Sequence, residues 1–277
     1  MKKIFFPIII LLPFSFTLMQ IKKNDWTKMN LKGKVKSLSV NYNKAAEKFG
    51  EVHKDTKISS HIYIFNDQGN KIEEDLYRAD GILNLKYTFI YDGTGDLKKK
   101  NQYKSDGGLN QKYTFNYDRQ GNLIEINTYD SEGSLKNKSL SKYDSTGNEI
   151  ELNFHGPNGE FTGKYAYKYD NKGNVKESIW YNAEGISGSK STFKYDDNGN
   201  ETENIWHKGD GSFGSKSTSV YDSNGNIIES RRYKDDGSTG DIFTFKYEYD
   251  KNKNWIKMTE FKNEAPISIK ERVIEYF

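Results

Sequence analysis

The sequence predicts an all-β fold, an elongated antiparallel meander of β-hairpin repeats twisted or wound into a spiral sheet. Three observations carry that expectation. Two glycine series recur every 26 residues without a slip, one at Gly69, Gly95, Gly121, Gly147, Gly173, Gly199 and Gly225, the other at Gly81, Gly107, Gly133, Gly159, Gly185, Gly211 and Gly237. Between the glycines, aromatic and polar residues alternate with period two, which places successive side chains on opposite faces of a strand. The composition supplies rings where aliphatic residues are few: 20 Tyr, 16 Phe and 4 Trp in 277 residues, with an apolar fraction of 34%. Each buried ring removes roughly 150–250 Å² from water, so aromatic residues can hold a sheet that is otherwise rich in charge.

The chain starts "MKKIFFPIIILLPFSFTLMQIKKND", with Lys2 and Lys3 ahead of an apolar run from Ile4 to Met19. That pattern reads as a signal peptide over residues 1–21. Pro7, Pro13 and the short length oppose a spanning helix, so the expected mature chain has no stable transmembrane helix. It is expected to be exported to the periplasm, the cell surface or the medium. Cysteine is absent, which removes disulfides, thiolate nucleophiles, cysteine-held metals and a lipoprotein anchor.

Residues 22–57 read as an N-terminal cap. Leu31–Asn43 is a strand, Ile58–Asn70 a second, and the charged stretch "KAAEKFGEVHKD" a longer loop between them. The seven-copy array occupies 58–250. Its first turn is D-x-x-G, as in "YDRQGN" (Tyr117–Asn122), where Asp at the first and Gly at the fourth position suit a type I turn closed by a glycine bulge. The second turn follows the same logic in "KSDG" (Lys104–Gly107), and in "GPNG" Pro157 takes the second turn position, which its fixed φ suits. Seven repeats then give about fourteen strands before the ends, and an open sheet that wide is expected to coil. Residues 251–277 read as a C-terminal cap, in which Lys253 stands where the glycine should be and "ISIKERVIEYF" forms a closing edge strand.

Parity assigns the faces. In "KYTFNYD", Tyr113, Phe115 and Tyr117 share one face; Tyr87, Phe89 and Tyr91, and Tyr165, Tyr167 and Tyr169, repeat it. Tyr77, Tyr103, Tyr129, Tyr181 and Tyr233, with His155 and His207 substituting, form a second column assigned to the same, core-forming face. Trp180 and Trp206 share a column assigned to the opposite face.

The phrase YD-x-x-GN resembles the YD repeats of Rhs-type proteins and of small exported bacterial repeat proteins. The residues that carry the resemblance are Tyr91-Asp92, Tyr117-Asp118, Tyr143-Asp144, Tyr169-Asp170, Tyr195-Asp196 and Tyr221-Asp222 with the glycines that follow, over roughly Ile58 to Asp250. In large Rhs-type proteins similar repeats build a β-shell around a toxic C-terminal domain freed by a self-cleaving core. No Asp-Pro occurs in the sequence and no further domain is expected after the repeats, so the resemblance implies the repeat architecture without the toxin.

The chemistry visible in the sequence is sparse. Forty-two basic and 39 acidic residues are interspersed for a net +3, which leaves no basic patch for nucleic acid. His155 and His207 stand two repeats apart, too far to share a metal. No cysteine or G-x-S-x-G elbow offers a nucleophile. Glu73, Glu125, Glu151, Glu177, Glu203 and Glu229 recur in a column on the same parity as the aromatic ladder; neighbours lie roughly 10 Å apart, beyond the spacing of a catalytic carboxylate pair. They are expected to pair with Lys86, Lys112, Lys138, Lys164, Lys190 and Lys216, or with tyrosine hydroxyls. The turn aspartates are turn formers rather than calcium ligands. Neither cofactor nor metal is expected. Trp180 and Trp206 are the candidate ligand-binding residues. The function expected is an exported non-enzymatic scaffold for a protein partner at the cell envelope. A carbohydrate or cell-wall polysaccharide binder is the first alternative, an immunity- or antitoxin-like partner the second.

Overall fold

The computed structural model describes residues 24–277; the expected signal peptide lies outside the described residues. One short helix, α1 (Asp25–Lys28), precedes eighteen strands: β1 (Val35–Lys48), β2 (Glu51–Phe65), β3 (Lys71–Arg78), β4 (Leu83–Tyr91), β5 (Leu97–Lys104), β6 (Leu109–Tyr117), β7 (Leu123–Asp130), β8 (Leu135–Tyr143), β9 (Glu149–His155), β10 (Phe161–Tyr169), β11 (Val175–Asn182), β12 (Ser187–Tyr195), β13 (Glu201–His207), β14 (Phe213–Tyr221), β15 (Ile227–Tyr233), β16 (Thr239–Tyr249), β17 (Trp255–Lys262) and β18 (Ala265–Tyr276). Among the described residues no helix is long and apolar enough to cross a membrane.

Each 26-residue phrase folds as strand, turn, strand, turn. In the turn at Asp170, the Gly173 N–H donates to the Asp170 carbonyl at 3.2 Å. The Asp170 carboxylate accepts from the backbone N–H of Lys172 (2.9 Å) and Asn174 (2.8 Å) and from the Asn174 side chain (3.0 Å). Its oxygens are thereby consumed by the turn. Gly173 has φ +82°, a left-handed conformation glycine adopts without steric cost. In the last such turn Lys253 takes the glycine position at φ +65°, as its place in the sequence implied.

The YD tyrosine adds a second tie. The Tyr169 hydroxyl donates to the Glu149 carbonyl, twenty residues back, at 2.6 Å. Tyr91, Tyr117, Tyr143, Tyr195, Tyr221 and Tyr247 repeat the bond to Lys71, Leu97, Leu123, Val175, Glu201 and Ile227. Each tyrosine thus pins the end of its strand to the start of the preceding one. Burial pushes the Tyr117, Tyr143 and Tyr221 hydroxyls up to about 12.

Three expectations are corrected. The sheet is not an open spiral: β1 pairs with β2 on one side and with β18 on the other, from Val35↔Tyr276 to Lys44↔Ser268. Every strand therefore has two antiparallel neighbours, and the meander closes into an eighteen-stranded barrel. Closure pairs the backbone groups that two free edges would leave unsatisfied, so β18 is no edge strand. Second, the charged stretch Lys44–Asp55 is strand, not loop; β1 and β2 form one long hairpin turning at Phe49 (φ +55°) and Gly50 (φ +79°). Third, parity does not persist through the turns. The register slips by one residue beside each turn, as between Lys168↔Glu177 and Tyr169↔Val175. The bulge glycine contributes that extra residue, and a one-residue slip turns every following side chain to the other face. Tyr103 accordingly lies opposite Lys86, while Tyr87 lies opposite Gln102. The two tyrosine columns occupy opposite faces.

The densest packing is local. Leu31, Val35, Leu38, Val40 and Phe65 form a buried cluster at the closing seam, with Trp26, Met29, Tyr42, Tyr63, Ile274 and Tyr276 against it. The segment before β1 folds over the turns at this end. Trp26 Nε1 donates to the Val35 carbonyl (2.8 Å), Asp25 accepts from the Tyr91 hydroxyl (3.0 Å), Asn30 donates to the Asn224 carbonyl (2.9 Å) and Asn254 bonds both N–H and C=O of Lys32.

Candidate functional site: an aromatic shelf on the inner wall

A closed sheet has one inner and one outer face, and solvation identifies them. Glu149 and Glu201, opposite the ladder tyrosines Tyr143 and Tyr195, have carboxyls raised by burial. Glu151, Glu177 and Glu203 on the other face are all lowered, chiefly by hydrogen bonds from lysines. The YD tyrosine ladder therefore lines the interior and the glutamate column faces out. Eighteen strands at about 4.8 Å spacing give a perimeter of roughly 86 Å across the strands, and barrels of this strand number enclose water rather than a packed core.

The outer face is neutralised by its own charges. Glu151 lies between Lys142 (2.8 Å) and Lys164 (2.5 Å), Glu177 between Lys168 (2.6 Å) and Lys190 (3.6 Å), and Glu203 between Lys194 (2.8 Å) and Lys216 (2.7 Å). Lys86–Glu73 and Lys138–Glu125 extend the pattern. The lysine pairing expected of the glutamate column is present at Glu73, Glu125, Glu151, Glu177 and Glu203, while Glu229 pairs with Arg231 at 2.6 Å; the face expected to be shared by column and ladder is corrected by the turn bulges.

The two classes of glutamate respond to acid with opposite signs. Glu151 is held down to about 2 in the folded chain, below its ordinary 4.5, so its contribution is present above pH 4.5 and lost as pH falls toward 2. Glu149 is raised by burial, so its ionised form costs stability above its folded pKa and that cost disappears on acidification. Glu149→Gln is expected to raise the urea midpoint at pH 7 and to leave it unchanged near pH 4; an equal shift at both pH values would refute the assignment.

Trp180 and Trp206 lie on the inner wall, with the ladder and not opposite it. Trp180 in β11 stands directly across from Tyr165 in β10, and Trp206 in β13 across from Ser191 and Ser215. The Trp180 ring centroid is 4.9 Å from that of Tyr165 and 5.8 Å from that of Phe154. Glycines on the flanking strands let both indoles lie down. A Cβ at Gly163 would stand 2.5 Å from Trp180 Cζ2, one at Gly188 2.9 Å from its Cδ1, and one at Gly214 1.9 Å from Trp206 Cε3. Each indole is thus seated against bare backbone, and Trp206 remains 37% exposed. The two rings occupy the same register two strands apart, about 10 Å. A cavity of about 510 Å³ opens beside Trp180, lined also by Asn137, Ser139, Phe154, His155, Thr162 and Tyr165. His155 Nδ1 is buried without a hydrogen-bond partner among the described residues, and its ring meets Phe161 edge-on at 5.7 Å; His207 meets Phe213 in the same way at 6.5 Å. The sequence signal for the shelf was available in Gly163, Gly188 and Gly214, which stand outside both 26-residue glycine series.

No protein-family model matches the chain, and no curated protein does. Among solved structures the chain is similar to a porin-like protein from Bacteroides uniformis, at 11% identity and TM-score 0.47, over 88% of this chain and 98% of that one. A porin-like protein from Bacteroides vulgatus matches at 12% identity and TM-score 0.37 over the same shares. A TcdB2-TccC3 structure matches 81% of this chain, but only 15% of its own length, at 12% identity and TM-score 0.30. At these scores the likenesses carry no information about the chemistry of this wall.

The outward Glu–Lys lattice sets the barrel apart from one with an apolar lipid-facing band. The inner wall instead places aromatic rings beside hydroxyl and amide groups, an arrangement suited to a ligand with both C–H faces and hydroxyls.

Proposed function

We propose that this chain is an exported, non-enzymatic binding protein of the cell envelope, related to the YD-repeat proteins, that holds a polysaccharide against Trp180 and Trp206. The observation that carries the reading is the close approach of both indoles to glycine backbone on the inner wall, with Trp206 left 37% exposed. A pyranose stacks its C–H face on such a ring, and Asn137, Ser139 and Thr162 beside Trp180 supply partners for its hydroxyls. Export rests on the charged-then-apolar start of the sequence. A scaffold for a protein partner finds less support on the outside of the barrel, where the glutamates are already engaged by lysines.

Titration calorimetry against soluble neutral oligosaccharides tests the reading. The parent chain is expected to bind at least one, and the Trp180→Ala, Trp206→Ala double variant to lose about 2–4 kcal/mol of that affinity, by analogy with other aromatic stacking platforms. Equal binding by both forms would overturn the shelf. A defined protein partner retained by both forms would restore the scaffold reading.

A further inference from the structure

Across the lumen from the shelf, the closing seam carries a different chemistry. Arg272 in β18 stands opposite Val40, which stands opposite His61; Lys270 stands opposite Tyr42 on one side and Met258 on the other. Tyr247 of the inner ladder is opposite Met258, so these residues share the inner wall. The Arg272 guanidinium carbon lies 3.4 Å from the ring centroid of Trp255. The residue is half-buried, its Nε is shielded from solvent without a hydrogen-bond partner, and no ion pair to a carboxylate joins it among the described residues. Lys270 Nζ sits 5.7 Å from the Tyr42 ring centroid.

The carboxylates on this stretch of wall are committed elsewhere. Glu74 is paired with Lys71 at 2.5 Å, and Glu260 accepts from the Ser268 hydroxyl at 2.7 Å. The neighbouring hydroxyls of Tyr42, Tyr63 and Tyr247 lie within electrostatic reach of Arg272. Tyr63 is engaged with His61 Nδ1 at 3.1 Å and Tyr247 with the Ile227 carbonyl at 2.8 Å. Withdrawing a guanidinium from water without a counter-charge is costly, and stacking on an indole offsets only part of that cost. Burial lowers Arg272 to about 10, which still leaves it charged at neutral pH. The seam therefore holds a fixed cation and a second cation beside it, neither of them ion-paired with a carboxylate among the described residues.

We propose that Arg272, assisted by Lys270, is an anion-binding site on the inner wall, taking the carboxylate, phosphate or sulfate group of a ligand held in the lumen. A guanidinium held flat by Trp255 presents its terminal N–H groups in the fork that matches an oxyanion. The site shares no residue with the tryptophan shelf, so the two can fail separately.

The test titrates sulfate, inorganic phosphate and glucuronate, with glucose as the neutral control, into the described chain at constant ionic strength, reading tryptophan fluorescence and calorimetry. Saturable binding of the oxyanions but not of glucose is expected, weakened about tenfold or more by Arg272→Gln and less by Arg272→Lys. Ile90→Ala, on the outer face, should leave it unchanged. Tighter binding of glucuronate than of the inorganic ions would assign the anion to an acidic sugar; the reverse order would assign it to a free phosphate-type ion. Should Arg272→Gln fail to fold, Lys270→Gln is expected to weaken binding several-fold. The proposal is overturned if no oxyanion binds the parent chain, or if the folded substitution binds as tightly as the parent.

Discussion

Phe65→Ala is expected to remove about 3–5 kcal/mol of unfolding free energy, the largest loss of any single side-chain truncation in this chain. Phe65 is 2% exposed and belongs to the short set of buried apolar residues, all but two of which form one packed cluster. Its ring meets Trp26 at 6.5 Å, so truncation leaves a cavity under the segment that folds over the turn end. Because a wide barrel does not fill its interior, this cluster bears a share of stability that a compact domain spreads over many residues. Ile90→Ala is the matched control. Ile90 sits on the outer face at 48% exposure, and its loss is expected to stay within about 0.5 kcal/mol. Urea midpoints at unchanged slope measure both. A Phe65 effect no larger than that of Ile90 would show that the seam cluster does not hold the barrel shut.

Much of this wall was legible in the sequence because its information is local. The D-x-x-G-N phrase specifies a turn whose carboxylate caps its own backbone, and Asp170 and Gly173 do so as read. The glutamate and lysine columns were separated by an even, repeated spacing, and their pairing followed. What escaped depends on single-residue offsets and on distance along the chain. One extra residue at each bulge moved Tyr103 and Glu125 to the face opposite Tyr87 and Phe115, an offset invisible to simple alternation. The same offset moved Trp180 and Trp206 from the supposed outer face to the inner wall. Closure joins Val35 to Tyr276, and nothing in a 26-residue repeat states whether its two ends meet. The β1–β2 hairpin is not legible in the sequence because its turn, Phe49-Gly50, carries a bulky residue at positive φ, where Asn or Asp is the usual marker.

Gly163→Ala is expected to separate backbone strain from site geometry. Gly163 has φ +147°, and an added Cβ would meet Trp180 Cζ2 at 2.5 Å and the Tyr181 carbonyl oxygen at 2.7 Å. The indole could swing aside, but the carbonyl belongs to the paired strand and can yield only by moving the ladder. A loss of about 1–3 kcal/mol of stability is expected from that overpacking. A changed tryptophan emission should accompany it, as the Trp180 ring leaves its seat. Gly81→Ala supplies the comparison. Its φ is +82° and open space surrounds the added Cβ, so it carries the left-handed penalty of roughly 1–2 kcal/mol without touching any ring. Stability loss in both, with oligosaccharide affinity lost only in Gly163→Ala, is the expected pattern. If the two variants bind alike, the seating of Trp180 against Gly163 is a packing solution for the wall and has no part in holding a ligand.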